Sequence, residues 1–340
     1  MAEAHRVERF RDELRALATE RRVAGASLFV VAGESRGGVA VGRGGEHLEP
    51  LSVDTPFRIA SNTKTFVAFA VARLAELGKL ALDASIGSYL PTSLSALLDR
   101  RYDVVSMSVA HLMSHSSGLR CHTDDPRFVA DILDDPRRRW TREEQVMRAV
   151  ALGDPWDRPG RTAVYSDTGY VLLGAIIEEL TGDPLGPALR SLVDFENLGL
   201  SQTWFERSEV ARSSLDPVHQ YVGSLNSVGW DPSMDLFGGG GLISTVQDLA
   251  RFYSALPSSS VFPILTATQV LPSSTPIRSG LFEERAAGHA VFSHAGYWGT
   301  FAAVVPDRNI AVAAMVNQRD AAGSLEELVR AIILNLIGDL

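Results

Sequence analysis

Apolar residues recur at helical spacing from the start of the chain. Val7, Phe10, Leu14, Leu17 and Ala18 fall on one face, which predicts an amphipathic helix over residues 3–21. The period then changes. GASLFVVAG (25–33) and GGVAVGRGG (37–45) read as two strands joined by a turn at Glu34–Arg36. From Ser61 to about residue 280 the pattern is mostly helical again. Phe66, Phe69, Ala70, Leu74 and Leu77 mark one apolar face, ended by Gly78. Val171, Leu172, Ala175, Ile176 and Leu180 mark another, ended by Gly182. GGGGLISTVQDLARFYSAL (238–256) predicts a glycine-rich turn entering a helix, with Ser244 or Thr245 as N-cap. Beyond about residue 284 strands return in HAVFSHAG, GTFAAVVPD and NIAVAAMVN, with a hairpin turn at Asp307–Asn309. LEELVRAIILNLIG (325–338) reads as a closing helix.

Strands at both ends with helices between them imply an α+β fold. The simplest assembly is one antiparallel sheet drawn from residues 1–60 and 285–340, flanked by the terminal helices. A mainly helical domain, residues 61–284, is then inserted, and a site between the two is expected.

Composition narrows the function classes. The formal charge of −9 disfavours nucleic acid and anionic membranes, and mildly favours a neutral or cationic small ligand. No apolar run approaches the roughly 20 residues needed to span a bilayer. MAEAHRVERFRDELRALATERR is a charged helical pattern without the apolar stretch of a secretory signal. A single cysteine, Cys121, rules out an internal disulfide, and together these features predict a cytoplasmic protein.

One residue choice changes the picture. Of 32 basic residues only Lys64 and Lys79 are lysine, and Lys64 stands three residues after Ser61 in FRIASNTKTF. On a helix such a pair shares a face, with Cβ atoms about 5–6 Å apart. A serine hydroxyl is a weak nucleophile that needs a partner to take its proton. A buried lysine can do this and an arginine cannot. Ser-x-x-Lys alone is a weak signal, and other stretches strengthen it. In AVYSDTGYVLLGAIIEELTGD, Tyr165 precedes a helix and can relay a proton. In FSHAGYWGTF, His294 and Gly296 end a predicted strand, where a glycine lets a substrate approach the backbone. The N–H after Gly296, that of Tyr297, together with that of Ser61 would form an oxyanion hole. His111 and His115 have metal-ligand spacing, with His122, Asp124 and Asp125 nearby, but the glutamate of H-E-x-x-H is replaced by Leu112. No metal or organic cofactor is expected. Cys121 reads as a small buried residue or a reactive thiol.

In order, FRIASNTKTF, LGKLALDASIGSYLP, HLMSHSSGL, YSDTGYVLLGAIIEELTG, GGGGLISTVQDLARF and SHAGYWGTFAAVVPD resemble the serine hydrolases of the β-lactamase and penicillin-binding-protein type. Among these the chain is most similar to the branch of class C β-lactamases, D-alanyl-D-alanine carboxypeptidases, D-aminopeptidases and esterases. The resemblance implies a β-lactamase/transpeptidase-like fold, with Ser61 as acylated nucleophile, Lys64 as its partner and Tyr165 as proton shuttle. It also implies that His294 and Gly296 supply the third motif, and that the N–H groups of Ser61 and Tyr297 hold the oxyanion. The expected substrate is a small ester, amide or D-amino acid peptide. An acyltransferase using the same residues and a catalytically silent binding protein are the alternatives; oligomeric state is left open.

One residue departs from the family pattern. The second motif is often Tyr-x-Asn, and here it is Tyr165-Ser166-Asp167. A carboxylate near Lys64 favours a charged lysine, which would act as a cation lowering the pKa of Tyr165. Two other roles for Asp167 stay open: binding a substrate amine, and capping the helix ahead of Thr168.

Overall fold

The computed structural model describes residues 2–45, 49–267 and 277–339. Its strands are β1 (Gly25–Ala32), β2 (Ser35–Gly42), β3 (Phe57–Arg58), β4 (Trp204–Phe205), β5 (Tyr221–Val222), β6 (Leu225–Asn226), β7 (Leu242–Ser244), β8 (Phe282–Ala286), β9 (His289–Gly296), β10 (Thr300–Val305) and β11 (Ile310–Val316). Six of them form one antiparallel sheet in the order β2-β1-β11-β10-β9-β8. Neighbours β1 and β11 come from opposite ends of the chain, with Ala26 opposite Val316 and Ala32 opposite Ile310. The α+β reading and its sheet from both termini therefore hold.

Alternation along these strands divides the core in two. Leu28, Val30, Val312 and Ala314 face the terminal helices (Ala2–Arg21 and Ala322–Asp339), packing on Phe10, Leu14, Leu325 and Ile332. Phe29, Val31, Ala311 and Ala313 face the other way, into a larger core shared with the central helices through Phe66, Val67, Leu172, Ile176 and Phe252. Strands buried on both faces need continuous apolar runs, which is why β1, β10 and β11 read as uninterrupted Val/Ala/Ile stretches.

Four details differ from the sequence reading. The β1–β2 turn falls at Gly33–Glu34, because β2 starts at Ser35. β8 lies inside the stretch read as helical, three residues before the expected boundary at 285. A second sheet, β3-β7-β4, holds the residues just ahead of Ser61. Finally, β9, which the glycine at its end reads as an edge strand, lies between β8 and β10 in the sheet. β8 pairs only as far as Ser293, so among the described residues His294, Ala295 and Gly296 run on past it. Among the described residues no helix is long and apolar enough to cross a membrane.

Candidate active site

Ser61 lies in a 3₁₀ turn (Ala60–Asn62) that feeds the helix Thr63–Glu76. The turn is strained: Ala60 has φ +46°, a left-handed conformation that costs a non-glycine residue about 1–2 kcal/mol. Surrounding bonds hold it. Asn62 Nδ2 donates to Thr300 Oγ1 at 3.0 Å, and that hydroxyl donates to the Ile59 carbonyl at 3.2 Å. Tyr253 donates to Asn62 Oδ1 at 3.1 Å. The turn thus seats directly on the β9–β10 hairpin. Gly296 is required there, since a Cβ at that position would lie 2.1 Å from Thr300 Oγ1 and 2.4 Å from Ile59 O. The Ser61 N–H precedes the first bond of the turn, Asn62 N–H to Ile59 O at 3.1 Å, so among the described residues it is a helix-start donor without a partner.

Lys64, one helical turn on, is fully buried. Its ammonium has three protons and three acceptors: Ser61 Oγ at 2.9 Å, Gly239 O at 2.5 Å and Asp167 Oδ1 at 2.5 Å. Burial alone would pull the lysine pKa down. Asp167 and Tyr165 outweigh it and hold the group above its ordinary value, so Lys64 rests as a cation. Asp167 is the mirror case. Burial pushes its carboxyl up, and Lys64 more than reverses this, leaving it ionised well below the usual carboxylate range.

Tyr165 completes the cluster. The Lys64 ammonium stands 5.2 Å from its ring centroid, and Ser61 and Lys64 are both near enough to its hydroxyl to act on the phenol's ionisation. Lys64 does favour the phenolate, as the sequence argument required. Burial is the larger influence, however, and the phenol is pushed up to about 12. The expected lowering of the Tyr165 pKa is therefore overturned by desolvation.

The helix Asp167–Thr181 is capped by Ser166, whose hydroxyl accepts from the Gly169 N–H at 3.4 Å; Asp167 is not the cap. The second carboxylate oxygen of Asp167 accepts from Thr123 at 3.2 Å and contacts the Cys121 thiol at 3.5 Å. Cys121 also accepts the Asp167 N–H at 3.2 Å. Burial pushes that thiol up to about 11, so it serves here as a protonated spacer and not as a nucleophile.

The histidines take separate positions. His115, at φ +57°, stacks on Tyr165 with ring centroids 4.4 Å apart and accepts the Ser166 N–H at Nδ1, 3.0 Å. Burial and then Lys64 depress it to about 3, so it is a neutral platform under the phenol. His111 instead accepts the Ser108 N–H and closes a capping box. His122 bonds Thr168 and is lowered to about 4 by burial. Asp125 caps the helix Pro126–Asp134 and pairs with Arg127 and Arg148. Among the described residues no group of three or more such side chains is placed to hold a metal.

His294 stands across the site from Tyr165, ring centroids 6.1 Å apart. Its Nδ1–H donates to the Ala295 carbonyl at 2.8 Å, which leaves Nε2 as a buried acceptor without a partner among the described residues. Burial, then Lys64, depresses it to about 3, so it is uncharged. Tyr297 follows at the start of the hairpin turn, half exposed, with Arg319 over its ring at 4.5 Å. The structure thus bonds Lys64 to Ser61 and Asp167 and packs Tyr165 against that cluster, with His294 beside it and Gly296 under the Ser61 turn. The sequence reading missed Thr123, Gly239, Asn62 and Thr300. Of these only Gly239 left a signal, the run of four glycines.

The beta-lactamase family model matches residues 10–336. The chain belongs to the beta-lactamase family. Its membership covers nearly the whole chain, and the family is one of serine hydrolases. This beta-lactamase-family chain is 34% identical to Esterase EstB of Burkholderia gladioli over 50% of its length, which is 43% of the esterase. It is 27% identical to an N-acetylmuramyl-L-alanine amidase of Bacillus subtilis, over 79% of the chain and 69% of that protein. In three dimensions it resembles a D-stereospecific amidohydrolase from Streptomyces sp. (TM-score 0.80, 26% identity, 94% of this chain and 97% of that one). It also resembles a D-amino acid amidase from Ochrobactrum anthropi SV3 (TM-score 0.79, 25% identity, 97% and 98%).

Proposed function

We propose that this chain is a serine hydrolase working through an acyl-enzyme on Ser61, with a small ester, amide or D-amino acid peptide as substrate. The carrying observation is the Ser61 hydroxyl 2.9 Å from a buried ammonium, with both groups near enough to the Tyr165 hydroxyl to act on its ionisation. In this reading Ser61 Oγ attacks the carbonyl, and the N–H groups of Ser61 and Tyr297 take the developing oxyanion. The Ser61 proton passes to Tyr165 as the phenol gives its own to the leaving group. A relay that accepts one proton while releasing another needs no phenolate, so a phenol near 12 is no obstacle. Lys64 stays charged and orients both hydroxyls. Water, delivered along the reverse relay, then resolves the ester. An esterase and amidases among the relatives support the substrate range. A cytoplasmic setting, with a small molecule as partner, belongs to the same proposal.

The test is intact-protein mass spectrometry after incubation with D-amino acid amides, aryl esters and β-lactams. An adduct on the wild type that disappears in Ser61→Ala is expected, and its mass names the acyl group. Turnover without any Ser61 dependence would refute the reading.

A further inference from the structure

Lys64 and Asp167 neutralise each other, and so do Arg58 and Glu206 nearby, at 2.9 Å. Four of the five Arg58 N–H groups are committed: two bonds go to Glu206 and two to the carbonyls of Ser227 and Trp230. Beside the Arg58–Glu206 pair lies a narrow cavity lined by Arg58, Ala60, Glu206, Met234, Asp235 and Trp298, with room for about one water-sized group. One of its walls, Ala60, immediately precedes Ser61 in the chain. Asp235 is the odd charge in this set. Its carboxylate accepts no hydrogen bond and joins no ion pair among the described residues. Trp298, 3% exposed, also faces this cavity, and its indole N–H has no acceptor among the described residues.

We propose that Asp235 anchors a subsite that takes the protonated amine of the substrate. Of the three charged residues lining the cavity, Arg58 and Glu206 cancel and one carboxylate is left over, so the cavity is complementary to a single cation. An ammonium head is about the size of the space. Asp167, the residue that the sequence offered for this role, is unavailable, because Lys64, Thr123 and Cys121 occupy it. The glycine run makes the approach close: a Cβ at Gly240 would sit 2.5 Å from the Asp235 carboxylate. Burial holds the acid up at about 7, with Lys64 and Arg58 pulling down and Asp167 and Glu206 pushing up. A group in that state ionises readily when a cation arrives. The net charge of −9 favours the same class of ligand. The inference deepens the hydrolase reading and rests on it for the identity of the substrate.

The test is separate from turnover. Ser61→Ala protein is titrated calorimetrically with D-phenylalaninol and with its N-acetyl derivative at pH 8. The amine should bind about 10–100-fold more tightly, and Asp235→Asn in the same background should abolish that preference. Equal binding of the two ligands, no binding of the amine at 10 mM (about the weak limit for such a ligand), or a preference that survives Asp235→Asn overturns the subsite. Should Asp235→Asn fail to fold, pH decides. The affinity of Ser61→Ala for the amine should rise about tenfold from pH 6 to 8 while the N-acetyl compound stays level, and a flat amine profile overturns the proposal. Amine preference without any acyl adduct on wild-type Ser61 would sink the hydrolase reading and leave the subsite standing. The converse pair of results does the reverse.

Discussion

Two aspartates flank the glycine run at 238–241. Gly239 abuts Asp167, and Gly240 abuts Asp235. Both carboxylates are affected by Lys64, yet they end in opposite states. Asp167 touches the ammonium and has Thr123 on its other oxygen, so its charge is worth more than its desolvation costs. Asp235 feels the same lysine only through space and has no donor, so burial wins. Direct contact, not mere proximity, decides whether a buried acid is ionised. The first region is a closed network in which each proton of the Lys64 ammonium has an acceptor. The second is open-ended and suited to a ligand.

The sharpest break in that comparison comes at the closed network. Ser61→Ala should eliminate acylation altogether, read by mass spectrometry. Lys64→Arg should be nearly as harmful although it keeps the charge, because a planar guanidinium cannot reproduce three convergent bonds. More than about a tenth of wild-type kcat/KM in that variant would refute this geometric argument. Tyr165→Phe should lower kcat by roughly 10²–10⁴-fold if the phenol carries the relay. Asp167→Asn is milder and tests the pairing itself. Without the carboxylate the Lys64 pKa falls, so the alkaline limb of the pH–rate profile should move to lower pH. Superimposable profiles in wild type and variant would remove Asp167 from the account.

The smallest effect belongs to the open region and is read as stability. Asp235 has a folded pKa of about 7, above the roughly 3.9 of an unfolded aspartate. Between those values the native state holds more protons than the unfolded one, so stability declines as pH rises from about 4 to 7 and stays low above. Asp235→Asn removes that dependence. Its Tm should exceed wild type by a few degrees at pH 8 and converge with it near pH 4, measured by calorimetry. A constant offset across this range would contradict the unpaired state of Asp235.

Sequence legibility followed the range of the interactions. β1, β10 and β11 were readable because apolar period and turn residues are local properties. β8 was not: FEERA carries three charges in five residues and owes its pairing to β9. The two- and three-residue strands of the second sheet lie below any periodic signal. Ser61, Lys64 and Tyr165 were legible because each occurs in a motif of fixed spacing. Thr123, Asn62 and Asp235 were not, since their roles come from partners or neighbours far along the chain. The Tyr165 pKa was misjudged because its dominant influence, burial, has no local marker.

The pairing of β1 with β11 has a bearing on synthesis. A nascent chain carries Ser61, Lys64 and Tyr165 long before the ribosome has made Gly296 and Thr300, on which the Ser61 turn rests. Until those residues emerge, the Ser61 turn lacks its seat on the β9–β10 hairpin, and the left-handed Ala60 lacks part of the bonding that holds it. The seat of the Ser61 turn is thus completed late in synthesis, and the sheet closes only when its last strand, β11, slots between β1 and β10.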